Sequence, residues 1–437
     1  MRRSIYLGLI TLAAALFSMA VLAAPATKGA NPKSQASFEV GFTIFVINDA
    51  ARPTEGFPDG RPTAVYVWYP ADAASIDGDT EEAVYPMDPF LGTPGAFPSA
   101  FFEAYGFHKA YQEPVAAAGP FQLVMFSPGW GGPGYGYVNI GPSLASQGFV
   151  FAAVTHYGDG ATINNPAEPI DELGWALYNR PRDVSAALDA LLGRNVDAAN
   201  LLHGTMDPAT VTASGHSLGG YTAMVLAGGD DEVCDLADDP FDTRPTPPET
   251  CAPSYPDPRI KSIIPLDGSN QMLWFYELAR IDVPVMSMGQ EWSALETAGI
   301  ADWQARQHAA FSGHPSYRVD VNNANHISFT AACTLFGFPC AWDRETHRLV
   351  NKYMLAFLTK QQNILTPGHA INSEPDIEFF VTEKRNPRAI ETEPGGMQGE
   401  DHPDYFVYFK HQSGKAAAKA EKDSMNKPPV AYFDEQP

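Results

Sequence analysis

Apolar positions along the chain fall into two rhythms. "FEVGFTIFVIND" and "PTAVYVWYP" are rich in β-branched and aromatic residues, and the Gly/Pro-rich "ARPTEGFPDGR" joins them. That composition predicts two strands forming an antiparallel ribbon. Residues 71–120 follow without a regular period. "FQLVMFS" and "GFVFAAVTH" are then continuous apolar runs, the signature of strands buried on both faces, with a short helix expected in "NIGPSLASQG" between them. In "RPRDVSAALDALLG" the residues Val184, Ala187, Leu188, Leu191 and Leu192 recur at helical spacing, and Gly193 reads as the stop.

Three more apolar runs, "RIKSIIPLD", "VPVMSMG" and "YRVDV", continue the strand pattern, and "THRLVNKYMLAFLTKQ" closes it with an amphipathic helix. Strands alternating with helices predict an α/β fold with a mostly parallel central sheet flanked by helices. From 363 to 437 the composition turns to Pro, Glu, Asp and Lys, which predicts a loosely ordered acidic tail without a core of its own.

The first residues belong to a different class of pattern. Arg2 and Arg3 precede an apolar run that ends in small residues at Ala23, which is the form of a secretory leader over 1–23, followed by a polar linker over 24–37. The expectation is a secreted or periplasmic protein with no integral membrane segment once the leader is removed, and a catalytic domain over 38–362. With 28 basic against 51 acidic residues the formal net charge is −23, which disfavours nucleic acid and anionic membrane surfaces as partners. An oxidising compartment makes disulfides the default for the four cysteines, and the local pairs Cys234–Cys251 and Cys333–Cys340 are expected. Their spacing does not suit zinc.

Chemistry is suggested by "VTASGHSLGGYTA". A candidate strand runs into Gly215 and a candidate helix leaves Ser217, so the G-x-S-x-G run has the strand, turn and helix of a nucleophile elbow. A serine hydroxyl needs a base, and His326 in "VDVNNANHISFT" follows the last strand. An acid must orient that imidazole. Asp267 ends the run "IIPLD", and Glu291 in "GQEW" is the alternative one strand later. For the oxyanion, the N–H of Leu218 follows the nucleophile, and the glycine-rich "SPGWGGPGYG" offers the N–H of Trp130. No cofactor and no metal site is expected; the acidic insertion "GDDEVCDLADDPFDTRPTPPETCAPSYPDP" reads as a solvated, disulfide-stapled loop before a Ca²⁺ site.

Taken in order, "VGFTIFVINDAARP", "VYVWYPA", "MFSPGWGG", "IGPSLASQGFVFAAVTHYGDG", "NRPRDVSAALDAL", "GHSLGG", "DPRIKSIIPLDG" and "NHISFT" resemble the α/β-hydrolases related to platelet-activating-factor acetylhydrolase and dienelactone-hydrolase-like proteins. The resemblance spans most of 38–360. It implies calcium-independent hydrolysis of a carboxylic ester by Ser217, Asp267 and His326, with Trp130 and Leu218 as oxyanion amides. Substrates would be small-molecule, lipid or polymer esters; oligomeric state is open. Cutinase-like polyester hydrolases share several of these motifs but place the acid one strand later, where this chain has only Glu291. Pro128 stands where the family usually has histidine before the oxyanion-loop glycine. A secreted binding protein with the same fold and no activity is the reading outside enzymes.

Overall fold

A computed structural model describes residues 37–92, 95–160, 173–230, 255–268, 273, 275–290, 311, 316–321, 324–335, 343–360 and 365, together with the backbone of 377–382 and 409–411. The expected leader over 1–23, most of the acidic insertion (231–254), Glu291 and most of the residues after 360 lie outside the described residues.

Strand β1 (Glu39–Asp49) pairs antiparallel with β2 (Arg61–Ala71), as the two β-rich runs predict. The irregular stretch contains three short strands, β3 (Val84–Pro86), β4 (Ala96–Pro98) and β5 (Tyr111–Gln112), and one turn of helix, α1 (Ser99–Glu103). The regular part then runs β6 (Phe121–Ser127), α2 (Gly141–Ala145), β7 (Phe149–His156), α3 (Leu173–Val196), β8 (Met206–His216), α4 (Leu218–Leu226) and β9 (Ile260–Leu266). It closes with α5 (Phe275–Leu278), β10 (Val285–Gln290), β11 (Ser316–Val321), α6 (Ala332–Leu335) and α7 (Arg344–Leu358). Two further strands, β12 (Ile377–Thr382) and β13 (Phe409–His411), come from the tail.

Eleven of these strands form one sheet in the order β13-β12-β11-β10-β9-β8-β6-β7-β2-β1-β5. The block from β7 to β11 is parallel throughout. Alternation along each central strand divides the core between two faces. Tyr66, Trp68, Val124, Phe126, Phe151 and Ala153 pack in one cluster with residues of α2 and α7. Their neighbours Val65, Val67, Leu123, Met125, Val150 and Ala152 pack in a second with residues of α3 and α4. A mostly parallel sheet covered on both faces is the α/β-hydrolase arrangement expected from the sequence.

Two elements differ from the sequence reading. Gly193 does not stop α3, which continues to Val196. Glycine only costs a helix about 1 kcal/mol; the end is set instead by Asp197, whose carboxylate accepts from Ala199 N–H at 3.0 Å. In the stretch expected to be loosely ordered, β12 pairs antiparallel with β11 and β13 with β12. "IEFFVT" is strand-forming, and its register covers an edge that β11 would otherwise leave open. Cys333 is buried in α6 and disulfide-bonded, whereas Cys234, Cys251 and Cys340 lie outside the described residues. Among the described residues no helix is long and apolar enough to cross a membrane.

Candidate active site

Three neighbouring strands end together at one edge of the sheet. Ser127 of β6 is in register with Gly215 of β8, and His216 of β8 with Leu266 of β9. The next residues of each strand are therefore the glycine-rich loop from Pro128, the serine at 217 and the aspartate at 267. Sites at the carboxyl ends of parallel strands follow from this topology.

Ser217 links β8 to α4 with φ 54° and ψ −122°, a conformation that L-residues rarely adopt. Its N–H donates to Leu266 O at 3.1 Å, and its own carbonyl accepts from Gly220 N–H at 2.8 Å. The turn is possible only because its neighbours lack side chains. A Cβ on Gly219 would lie 1.8 Å from Ser127 O, and one on Gly215 would lie 2.2 Å from Gly219 O. The start of α4 is thus pressed against the end of β6. The spacing of glycines in "GHSLGG" is a packing requirement of this close approach.

Asp267 follows β9 with φ 42° and is 3% exposed. Its N–H donates to Met288 O at 2.6 Å. His326 opens a short helical turn, His326–Phe329, after β11. Asn325 caps that turn: its side chain accepts from Ile327 N–H at 2.9 Å, and its N–H donates to Ser328 Oγ at 3.1 Å. The capping box presents the imidazole of His326 towards the strand ends, where its Nδ1 meets Asp267 Oδ2 at 2.5 Å. With Nδ1–H donated to the carboxylate, Nε2 is left as the free base nitrogen. The structure thus joins Asp267 to His326 and ends β8 and β9 in register beside Ser217 and Asp267, while Glu291 lies outside the described residues.

The loop after β6 lies directly over the serine. A Cβ on Gly129 would come within 3.3 Å of Ser217 Cβ. Gly129 N–H is already engaged, donating to Tyr137 Oη at 2.9 Å. The N–H groups of Trp130 and Leu218, by contrast, have no hydrogen-bond partner among the described residues. Leu218 is the first residue of α4, so its amide also carries the positive end of that helix. Trp130 is 45% exposed on the loop surface.

Behind the loop is a fully buried polar cluster that sequence reasoning missed. Arg180 of α3 donates to Ser127 Oγ at 3.2 Å and Thr222 Oγ1 at 3.4 Å, and also binds Pro128 O and the carboxylate of Asp159. His156 sits between Ser127 Oγ, at 2.9 Å, and Asp183 Oδ2, at 3.0 Å. This second Ser-His-Asp string is sealed: Ser127 is 1% exposed and the other two are 0%. Burial, with Arg180 next, pushes His156 down to about 4, so it stays neutral. Asp183 is held well below the usual carboxylate range by Arg61 and Arg52, against the effect of burial. The signal in the sequence was Arg180 and Asp183 of "NRPRD", two of its three charges, on a helix face that otherwise reads as apolar.

The aromatic stretch from 85 to 111 serves mainly as core. Tyr85 and Phe102 are fully buried, and Tyr85 packs edge-on against Phe42 of β1 at 4.8 Å. Among the described residues no group of three or more His, Cys, Asp or Glu is placed to hold a metal ion.

No family model matches the chain. Over 163 residues it is 29% identical to platelet-activating factor acetylhydrolase of Cavia porcellus, covering 30% of this chain and 37% of that protein. Over 235 residues it is 24% identical to platelet-activating factor acetylhydrolase of Canis lupus familiaris, covering 44% of this chain and 51% of that one. The chain therefore matches at most about half the length of these curated relatives. A solved ferulic acid esterase from Streptomyces cinnamoneus aligns with a TM-score of 0.48 at 20% identity, over 76% of this chain and 92% of that one.

Proposed function

We propose that this protein is a serine-dependent hydrolase of carboxylic esters, working through an acyl-enzyme on Ser217. The observation that carries the reading is the strained serine lying between an Asp267–His326 pair and two unpartnered amides. In the proposed reaction His326 Nε2 accepts the Ser217 hydroxyl proton as Oγ attacks the ester carbonyl. Asp267 holds the Nδ1–H tautomer and stabilises the imidazolium that forms. The carbonyl oxygen becomes an oxyanion and accepts from Leu218 N–H and Trp130 N–H. The protonated imidazole then gives its proton to the leaving alcohol, and water repeats the sequence to release the acid.

The names of the two curated relatives support ester hydrolysis as the class. Substrates are neutral or zwitterionic esters of hydrophobic acids, because a net charge of −23 disfavours the approach of anions. Exported through its leader, the protein acts outside the cytoplasm. A catalytically silent binding protein would not require a strained serine beside a free imidazole nitrogen. The contact of Asp267 with His326 supports Asp267 over Glu291 as the acid, and with it this reading over the polyester hydrolase.

Fluorophosphonate labelling and a panel of p-nitrophenyl esters of rising chain length test the reading. Covalent labelling confined to Ser217 is expected, with activity reduced by several orders of magnitude in Ser217→Ala and in His326→Ala alike, since such groups act as a unit. Absence of labelling in a folded protein, or full activity in Ser217→Ala, would reject it.

A further inference from the structure

Next to the nucleophile, His216 is buried and stands outside the proposed triad. Both of its ring nitrogens are engaged. Nε2 lies 2.8 Å from the backbone carbonyl of His326, and Nδ1 lies 3.0 Å from Tyr137 Oη. Tyr137 Oη in turn accepts from Gly129 N–H at 2.9 Å. A carbonyl can only accept, so the proton sits on Nε2. Nδ1 must then accept the tyrosine proton, and the tyrosine oxygen is left to accept the glycine N–H. Only one arrangement of protons satisfies every group.

We propose that Tyr137 and His216 are positioning residues that fix the oxyanion loop and the catalytic histidine to one another. The chain of three hydrogen bonds runs from the amide immediately before Trp130 to the carbonyl of His326. It passes beside Ser217 without touching the reacting atoms. Because Tyr137 Oη takes the Gly129 amide, the next N–H along the loop, that of Trp130, is the one turned to the substrate. Because His216 Nε2–H takes the His326 carbonyl, the turn that carries the base cannot drift away from the end of β8.

The surroundings favour the neutral form that this arrangement requires. Burial pushes His216 well below the ordinary histidine range, with His326 and then Arg180 acting in the same direction. Burial likewise raises the Tyr137 hydroxyl, so it remains a donor. The rings of His216 and His326 are 4.5 Å apart, and the Phe329 ring lies nearly parallel to that of His216 at 6.2 Å. The segment that carries Tyr137 is also tied to the histidine turn by Ala331 N–H to Gly136 O at 2.8 Å and Asn139 Nδ2 to Phe329 O at 3.1 Å. Loss of the central hydroxyl therefore slackens the site without dismantling it.

The inference rests on the proposed ester hydrolysis, and the tests separate the two. In Tyr137→Phe, kcat should fall by about 10- to 100-fold, less than the roughly 10²–10³ that removing an oxyanion donor outright costs, with KM within about twofold and the acid limb of the kcat/KM profile in place. His216→Asn keeps an acceptor where Nδ1 was and loses the bond to His326. Its acid limb should move, because the base and Asp267 are no longer held in line. His216→Gln, whose amide nitrogen reaches the position of Nε2, should restore that limb. Unchanged kcat in both Tyr137→Phe and His216→Asn, or an equal loss with no difference in pH profile, overturns the inference.

Nitrogen-15 imidazole spectra of the Ser217→Ala protein give a readout free of turnover. A neutral Nε2–H tautomer at His216 at pH 7 is expected. An Nδ1–H tautomer or an imidazolium there overturns the inference whatever the fate of the hydrolase reading. A parent protein that hydrolyses no ester rejects the function while leaving this tautomer to be read.

Discussion

At the scale of single residues, the site depends on two backbones held at positive φ, Ser217 at 54° and Asp267 at 42°. Strain of this kind costs on the order of 1–3 kcal/mol each and persists where surrounding structure enforces it. At Ser217 the enforcement is visible as the fit of Gly215 and Gly219 against Ser127 O and each other. At Asp267 it is the N–H bond to Met288 O and the short contact with His326. Asp267→Asn should therefore keep the fold but present an amide to Nδ1, favouring the wrong imidazole tautomer. A fall in kcat of about 10⁴-fold is expected, with little change in unfolding midpoint. Glu291→Gln should leave kcat within a few-fold. The reverse ranking in steady-state kinetics would move the acid to position 291. Ser217, Asp267 and His326 stood out in the sequence as candidates because each follows an apolar strand. Tyr137 was not, since a tyrosine within "GPGYGYVN" carries no periodic or motif signal.

At the scale of elements, helix α3 does more than cover the sheet. Of its predicted apolar stripe Val184, Ala187, Leu188 and Leu191 are fully buried, and Leu192 is partly buried against them. One turn earlier it delivers Arg180, which spans the oxyanion loop at Pro128 O, the end of β6 at Ser127 and α4 at Thr222. Arg182, two residues on, is held instead between the rings of Tyr178 and Tyr255, at 3.7 and 4.5 Å. Arg180→Met should leave Asp159 buried without its arginine, at a cost of about 3–5 kcal/mol. The check is urea unfolding of the parent and the variant; a difference below about 1 kcal/mol would mean the cluster is dispensable. The sequence reading missed this role because helical periodicity reports which face is buried, and a buried charge on that face appears only as an interruption. It missed β12 and β13 for a related reason. A six-residue strand inside a polar stretch changes the average composition too little to register. Its partner is an edge whose need for cover is known only once the sheet order is.

Across the whole molecule, the buried histidines make stability depend on pH in a definable window. His156 is lowered to about 4, and His216 and His347 are lowered as well, in each case chiefly by burial. Unfolding exposes them to water, where they titrate near 6.5. Above that value both states are neutral at these positions, and stability is insensitive to them. Between about 6.5 and 4 the unfolded chain binds protons that the native chain refuses, so stability falls as pH falls, and the whole contribution of His156 is gone below 4. For His156 alone the difference amounts to roughly 3 kcal/mol. Asp183 acts in a lower window: its depressed pKa stabilises the fold above the unfolded value of 3.8 and is lost only as pH drops through the depressed one. Surface carboxylates work in the opposite direction, since protonating them relieves the repulsion of a chain at −23, but they titrate near 4. The interval from pH 6.5 to 5 therefore belongs to the histidines. Unfolding free energies from urea titrations at constant ionic strength should decline across it, by more than 1 kcal/mol per pH unit if two or more of the three respond together. A stability that is flat or rises from pH 6.5 to 5 would mean that these histidines accept protons in the native state, and with them that a neutral His156 between Ser127 and the Asp183 carboxylate is not how the loop after β6 is held.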